Sequence, residues 1–466
     1  MTAKKGYTTA LAKYVSELTL DRVPKAIVEK TKLHILDGIG CGIHGSTLPW
    51  SKQILEVFRQ PGGPPEATVW GEGCKLPVAS AALINGSFNH AFELDDVEAR
   101  LIWTHPTGPC LAASLAMGER FGGSGAELLA AVIAGTDVTV RTCVAINLPE
   151  LAVPRGLHPF ALAVLGPAAS AARMLRHNTE QVESSFGIAG TESSASEIVK
   201  FSGSHLKRLY AGRLARTGVE AALLTDHGFY GPATILEGDY GGMFVKYWGL
   251  GHEDKYDFEL LTKGLGVDYS LMNRVGIKPY PAHIHMHVGV DLALQLRREH
   301  RLTAEDVQEV IYTTRTRNVK RFAHYEPADI VLAQQSVPFT VASALVHGEY
   351  TIDQVSEKYL RDPQILGVAR KIKLVPDTSL DEALTQNIDR AKMEIRTTGG
   401  KSFSATLDNS KGSVERPLTK DEVLAKYFRL AQTKVQRSTA QAIADIVFDL
   451  ENLRDVTQLA NLMGAA

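Results

Sequence analysis

Apolar residues recur at helical spacing through most of the first 269 positions. Pro24 to His44 is the first clear case, with Pro24 at a first helical position, and Leu48 to Phe58 reads as a shorter helix. The run PGGPPEATVWGEG (Pro61 to Gly73) is turn chemistry around a short strand, Ala67 to Trp70. Pro77 to Phe92 is helical and rich in small residues, so a neighbouring helix can approach closely. Helices follow at Gly108–Phe121, Gly125–Ile146, Phe160–Leu175, Thr179–Gly190 and Lys207–His227. Gly125–Ile146 is apolar almost all round, the pattern of a central bundle helix.

The pattern changes near Asn273. VGIKPYP predicts a strand entering a turn, and His283 to Arg301 a helix. A capped turn at Thr303 leads into a β-branched strand, Val310 to Thr314. AKMEIRTTGGKSFSATLD alternates on both sides of Gly399-Gly400, a hairpin signal. From Leu418 onward helical patterns return. The expected fold is mostly α: an all-α helical-bundle domain (1–269 and 412–466) containing both termini, plus an inserted α+β lid domain (270–411). The cleft between them is the default site.

With 466 residues the chain exceeds what one core usually supports, in keeping with two domains. A formal net charge of −2 gives no electrostatic footprint for nucleic acid or an anionic membrane, so neither partner is expected. The four cysteines (Cys41, Cys74, Cys110, Cys143) are scattered without a C-x-x-C pair, so neither disulfides nor a zinc knuckle are expected. No stretch looks like the roughly 20 apolar residues of a membrane helix. MTAKKGYTTALAKYV lacks a signal-peptide run. The expected compartment is the cytoplasm.

The chemistry concentrates between Asn85 and Gly108, NGSFNHAFELDDVEARLIWTHPTG. His90, Glu93, Asp95, Asp96, Glu98, Arg100 and His105 stand there among Phe88, Phe92, Leu94 and Trp103. That is too charged for a plain core segment and too apolar for a solvent loop. It reads either as the acid- and imidazole-lined wall of a cleft or as a helix end with exposed acids. His105-Pro106 and His158-Pro159 are both His-Pro steps opening helices, which could converge on one cleft. Lys207, at a helix start with Arg208 beside it, suits an anion pocket or a lysine of lowered pKa, or else a solvated surface. PAHIHMH (Pro281 to His287) puts His283 and His287 on one helical face, but no further ligand follows at metal spacing. No nucleotide loop, H-E-x-x-H or G-x-S-x-G occurs, so no cofactor and no metal is expected. Acids, imidazoles and lysines without a cofactor suit proton removal from a carbon next to a carboxylate.

The stretches NGSFNHAFELDD, WTHPTG, GLHP, HLKRLYAGRLARTGVEAALL, GIKPYPAHIHMH and SVPFTVASAL together resemble the MmgE/PrpD family along nearly the whole chain. That family includes 2-methylcitrate dehydratase, cis-aconitate decarboxylase and iminodisuccinate epimerase. The resemblance implies a metal-free homodimer acting on a small polycarboxylate. It implies catalytic roles for Lys207, His105, His158 and Asp95, and substrate contacts from Glu93, Asp96, Lys278, His283 and Phe339. Val97 stands where the dehydratase and decarboxylase branches carry Thr, and Phe339 where a decarboxylase-like Tyr would be. Both changes remove a hydroxyl donor. The resulting expectation is an epimerase, closest to iminodisuccinate epimerase, with Lys207 and one of His105 or His158 serving opposite faces. The alternative is a dehydratase or decarboxylase of 2-methylcitrate- or cis-aconitate-like tricarboxylates.

Overall fold

The computed structural model describes residues 6–98, 100, 104–148, 156–200, 204–385 and 388–464; Trp103 lies outside them. Most of the expected helices are present, and several begin with side-chain caps that satisfy orphan N–H groups. Ser124 and Glu127 form a reciprocal capping box ahead of Gly125–Ala145, and Thr419 and Glu422 do the same ahead of Lys420–Ala431. Gly125–Ala145 overturns one expectation. Its 21 residues contain an 18-residue window of mean hydropathy 1.6, the length and apolarity of a membrane-crossing helix. Here it is a core helix, packed against Thr107–Phe121 and Leu165–Met174 and almost wholly buried.

Two large apolar clusters organise the molecule. The larger draws on residues from Tyr7 to Tyr269 and again from Tyr427 to Met463. The smaller draws on Ala282 to Ile395, joined by Trp50, Ala91 and Phe92 from the first part of the chain. Its framework is a four-stranded sheet in the order Ile372–Pro376, Val307–Thr314, Ala391–Thr397, Ser402–Leu407. The first pairing is parallel and the other two antiparallel. Gly400, at φ 77°, closes the hairpin as its sequence suggests. Ala391, Met393 and Ile395 point inward under the helix His287–His300, which packs in turn on Val337–His347.

Three departures from the expected elements have local causes. Phe160–Leu175 is broken into a 3-10 turn, Pro159–Leu162, and a helix, Leu165–Met174. Pro167 has no N–H to give to Ala163, so one continuous helix cannot form there. His283–Arg301 likewise begins as a 3-10 turn at Ile284–Met286, because the His283 side chain accepts from the His285 N–H. The strand expected in VGIKPYP is only Val275–Gly276, and it pairs with Val97–Glu98. That short pairing ties the acidic loop to the segment carrying Lys278.

The helices Val78–Asn89 and Leu206–Asp226 cross at Gly86 and Gly212. A Cβ on Gly212 would stand 2.0 Å from the Leu83 carbonyl oxygen and 2.1 Å from Ser87 Oγ. Only glycine permits that approach, which brings the end of one helix, leading to Glu93, beside the start of the other, carrying Lys207. Gly212→Ala is therefore expected to destabilise the protein by about 1–3 kcal/mol through overpacking. Gly367→Ala, where an added Cβ meets nothing within 4 Å, should be neutral or slightly stabilising. Thermal denaturation of the two variants checks this, and equal melting temperatures would contradict the close crossing.

Candidate active site

Beyond Asn89 the chain leaves its helix and turns sharply, and Glu93 takes a left-handed backbone with φ 56°. For a residue with a Cβ this costs about 1–2 kcal/mol and persists only where the surroundings impose it. Here the surroundings are two lysines. Lys207 Nζ donates to Glu93 Oε1 in a short contact, and Lys278 Nζ stands 3.6 Å from the same oxygen. Lys278 also donates to the Glu93 carbonyl at 3.1 Å. Burial alone would raise the Glu93 carboxyl, but Lys207 and Lys278 hold it well below the usual carboxylate range. Glu93 Oε2 has no hydrogen-bond partner among the described residues.

Next to this triad a second carboxylate orients a pair of imidazoles. Asp95 lies 2.9 and 3.0 Å from His90 Nδ1 and 3.0 Å from His105 Nδ1. His105 Nδ1 is also 2.8 Å from the Asp96 carbonyl oxygen. Burial would raise the Asp95 carboxyl, yet His105 and His90 bring it well below its ordinary value. An ionised carboxylate and a carbonyl only accept. Both rings therefore carry a proton on Nδ1, which turns each Nε2 away from the carboxylate. Burial pushes His90 down to about 4, so it is neutral near pH 7. The rings lie 4.4 Å apart edge to face, and Phe160 packs against both.

Of the residues singled out in the sequence, the structure thus brings Glu93, Asp95, His105, Lys207 and Lys278 together. His158 sits against Phe160 and Tyr210, and its Nδ1 accepts from the Phe160 N–H at 3.2 Å, so it caps the 3-10 turn. His283 packs at a tilt against His285 and Phe322. The Asp96 carboxylate, expected as a substrate contact, pairs through one oxygen with His34 Nδ1 at 3.0 Å, because His34 on the helix Lys25–Ser46 presents its ring to that side of the loop. Phe339 is fully buried in the smaller apolar cluster with Phe92 and Phe322. Val97, also buried, faces Gly276 across the short strand pair. His283 and His287 do not form a ligand pair: His283 Nδ1 caps its own turn and His287 Nε2 lies 3.1 Å from the Ala282 carbonyl oxygen.

His90 was not among the residues assigned a role, although its spacing of five from Asp95 was visible. A polar atom from each of His90, Glu93 and His105 lies within 4.8 Å of the others, close enough in principle to hold a cation. Two ammonium groups already neutralise Glu93, so a metal ion there would face them directly. A cavity of about 610 Å³, lined by Phe160, Tyr210, Ser193 and Arg213 among others, opens beside the aromatic wall of the imidazole pair. The arrangement offers lone-pair nitrogen bases, ammonium acids and cations suited to carboxylates.

The MmgE/PrpD N-terminal domain matches residues 9–250 and the MmgE/PrpD C-terminal domain residues 280–452. A cis-aconitate decarboxylase of Aspergillus terreus is 28% identical over 488 aligned residues, covering 99% of this chain and 96% of the relative. The cis-aconitate decarboxylase of Homo sapiens is 25% identical, covering 98% of this chain and 95% of its own. A mitochondrial 2-methylcitrate dehydratase of Yarrowia lipolytica is 22% identical, covering 80% and 72%.

The neutral, buried His90 predicts an acid-side loss of stability. Its folded value, about 4, lies below the ordinary 6.5, so the unfolded chain binds the extra proton first. The penalty is absent above roughly pH 6.5 and grows as pH falls toward about 4, reaching an order of 3 kcal/mol. His90→Gln should flatten the stability–pH curve in that window by up to about one proton. Urea denaturation between pH 4 and 7 measures it; an unchanged slope would mean that His90 is not held neutral.

Proposed function

The chain belongs to the MmgE/PrpD family, and from that premise we propose that it is a cofactor-independent lyase removing carbon dioxide from a cis-aconitate-like tricarboxylate. The observation carrying this reading is the Lys207–Glu93–Lys278 triad set beside two imidazoles oriented by one carboxylate. Substrate carboxylates compete with Glu93 for the two ammonium groups. The bond to the departing carboxylate breaks, and its electron pair spreads through the alkene into a neighbouring carboxylate stabilised by Lys278. The Lys207 ammonium gives a proton to carbon, and the His105 imidazole relays its replacement from solvent. One proton is consumed for each carbon dioxide released.

The epimerase expectation yields to this reading because decarboxylases, and a dehydratase, are the relatives that span the chain. Between those two chemistries, decarboxylation is favoured because the decarboxylases match more of the chain at higher identity than the dehydratase does. The missing hydroxyls at Val97 and Phe339 also suit a second reading, inversion at the carbon next to a carboxylate, in which nothing leaves.

In deuterated water with cis-aconitate, the wild-type protein is expected to release carbon dioxide and leave one deuterium on product carbon. Lys207→Met should lower kcat by about 10²–10⁴-fold. Mass spectrometry and proton NMR of the products distinguish the readings. Deuterium exchange with neither carbon dioxide nor water lost would establish inversion instead.

A further inference from the structure

Gln334, fully buried in the turn that follows the short helix Ile330–Ala333, uses every polar group it has at the boundary between the two apolar clusters. Its amide nitrogen donates to the Phe92 carbonyl at 2.7 Å and to the Pro281 carbonyl at 3.2 Å. Its amide oxygen accepts from Arg208 at 3.4 Å. Its backbone carbonyl accepts the His283 N–H at 2.9 Å. The amide orientation follows from these neighbours, since two carbonyls need its N–H groups and a guanidinium needs its oxygen. Arg208, next to Lys207, is held from the other side: its Nε donates to the Ala91 carbonyl at 2.7 Å and its guanidinium lies 4.2 Å over the Trp50 ring.

Ala91 and Phe92 are the residues immediately before the left-handed Glu93. The Ala91 carbonyl accepts from Arg208 on the Lys207 helix and from Trp50 Nε1 at 3.1 Å, and the Phe92 carbonyl accepts from Gln334 in the α+β region. The Phe92 carbonyl lies in the peptide plane about which the Glu93 φ turns, so its hydrogen bond bears on that angle alongside the lysine contacts. We propose that Gln334 is a positioning residue: by clamping the Phe92 carbonyl against Arg208 and the Pro281–His283 segment, it sets the Glu93 turn and so holds the carboxylate between Lys207 and Lys278. It touches none of the reacting groups itself. The kinetic part of its test rests on the lyase reading; the titration part does not.

Gln334→Met keeps the length of the side chain and removes the donors and the acceptor. With the turn released, kcat is expected to fall about tenfold or more while KM stays within about threefold. Lys207 faces Glu93, with Lys278, His90 and His105 grouped around that carboxylate and Arg208 beside it on the helix. Drawing the carboxylate away leaves Lys207 among positive and neutral groups. Its titration, followed by NMR in protein labelled with ε-¹³C-lysine, should move to lower pH without any substrate present. In a Glu93→Gln background the Gln334 substitution should add nothing to either readout. Should Gln334→Met not fold, Gln334→Glu keeps the size and the acceptor for Arg208 but lacks both donors, and its effect on kcat in the two backgrounds decides the matter. An unmoved Lys207 titration, or effects that add to those of Glu93→Gln, would overturn the proposal. A shifted titration in a protein that turns over no tricarboxylate would refute the lyase reading and leave this one standing.

Discussion

A buried carboxylate shared by two ammonium groups is the constraint on which the site depends. Glu93, Lys207 and Lys278 are each almost wholly removed from solvent. Any one of them alone would carry a desolvation cost of several kcal/mol, so the three are stable only as a set. The left-handed backbone at Glu93 adds to that cost, and the Lys278 hydrogen bond to the Glu93 carbonyl offsets part of it. A net charge of +1 remains on the triad, which is the sign a polycarboxylate requires. Whatever the reaction, a substrate that brings its own carboxylates replaces one set of ion pairs with another.

The rest of the fold serves to hold the loop that carries these charges. The glycine crossing of Val78–Asn89 and Leu206–Asp226 sets the distance between Glu93 and Lys207. The strand pair Val97–Glu98 with Val275–Gly276 brings Lys278 in from the other part of the chain. From below, the C-terminal helix Lys420–Ala431 contributes Lys426, which donates to the Leu94 carbonyl at 2.7 Å and pairs with the buried Asp37 at 2.6 Å. Burial pushes Asp37 up to about 6 against the opposing pull of Lys426, so this anchor weakens on the acid side. Asp96 joins the same anchor through His34. The two adjacent acids in ELDD thus separate their roles by side-chain direction: Asp95 orients the imidazoles and Asp96 secures the loop.

Helical periodicity and small residues made the helical part legible from sequence, and Gly399-Gly400 marked the hairpin. The parallel strand Ile372–Pro376 was missed, because five residues with one buried position carry almost no pattern. The break before Leu165 was readable in principle from Pro167. Of the site, the crowding of acids and histidines between Asn85 and Gly108 was visible, Lys207 stood out at a helix start, and likeness to a family gave it and Lys278 their roles. What single positions could not give was direction. His158 and His283 look as reactive as His105 on paper, yet both use a ring nitrogen as a cap. Gln334 carries no charge and no motif, and its importance arises only from carbonyls that folding brings to it.

If Lys207 and Lys278 receive the carboxylates of a substrate whose reacting carbon faces the imidazole pair, a crystal structure with propane-1,2,3-tricarboxylate, an unreactive mimic, should show it. Carboxylate oxygens are expected within hydrogen-bond reach of Lys207 Nζ and Lys278 Nζ, with the ligand's carbon backbone against His105 Nε2. A ligand lodged instead in the cavity beside Arg213, with Glu93 still bridging both lysines, would contradict it.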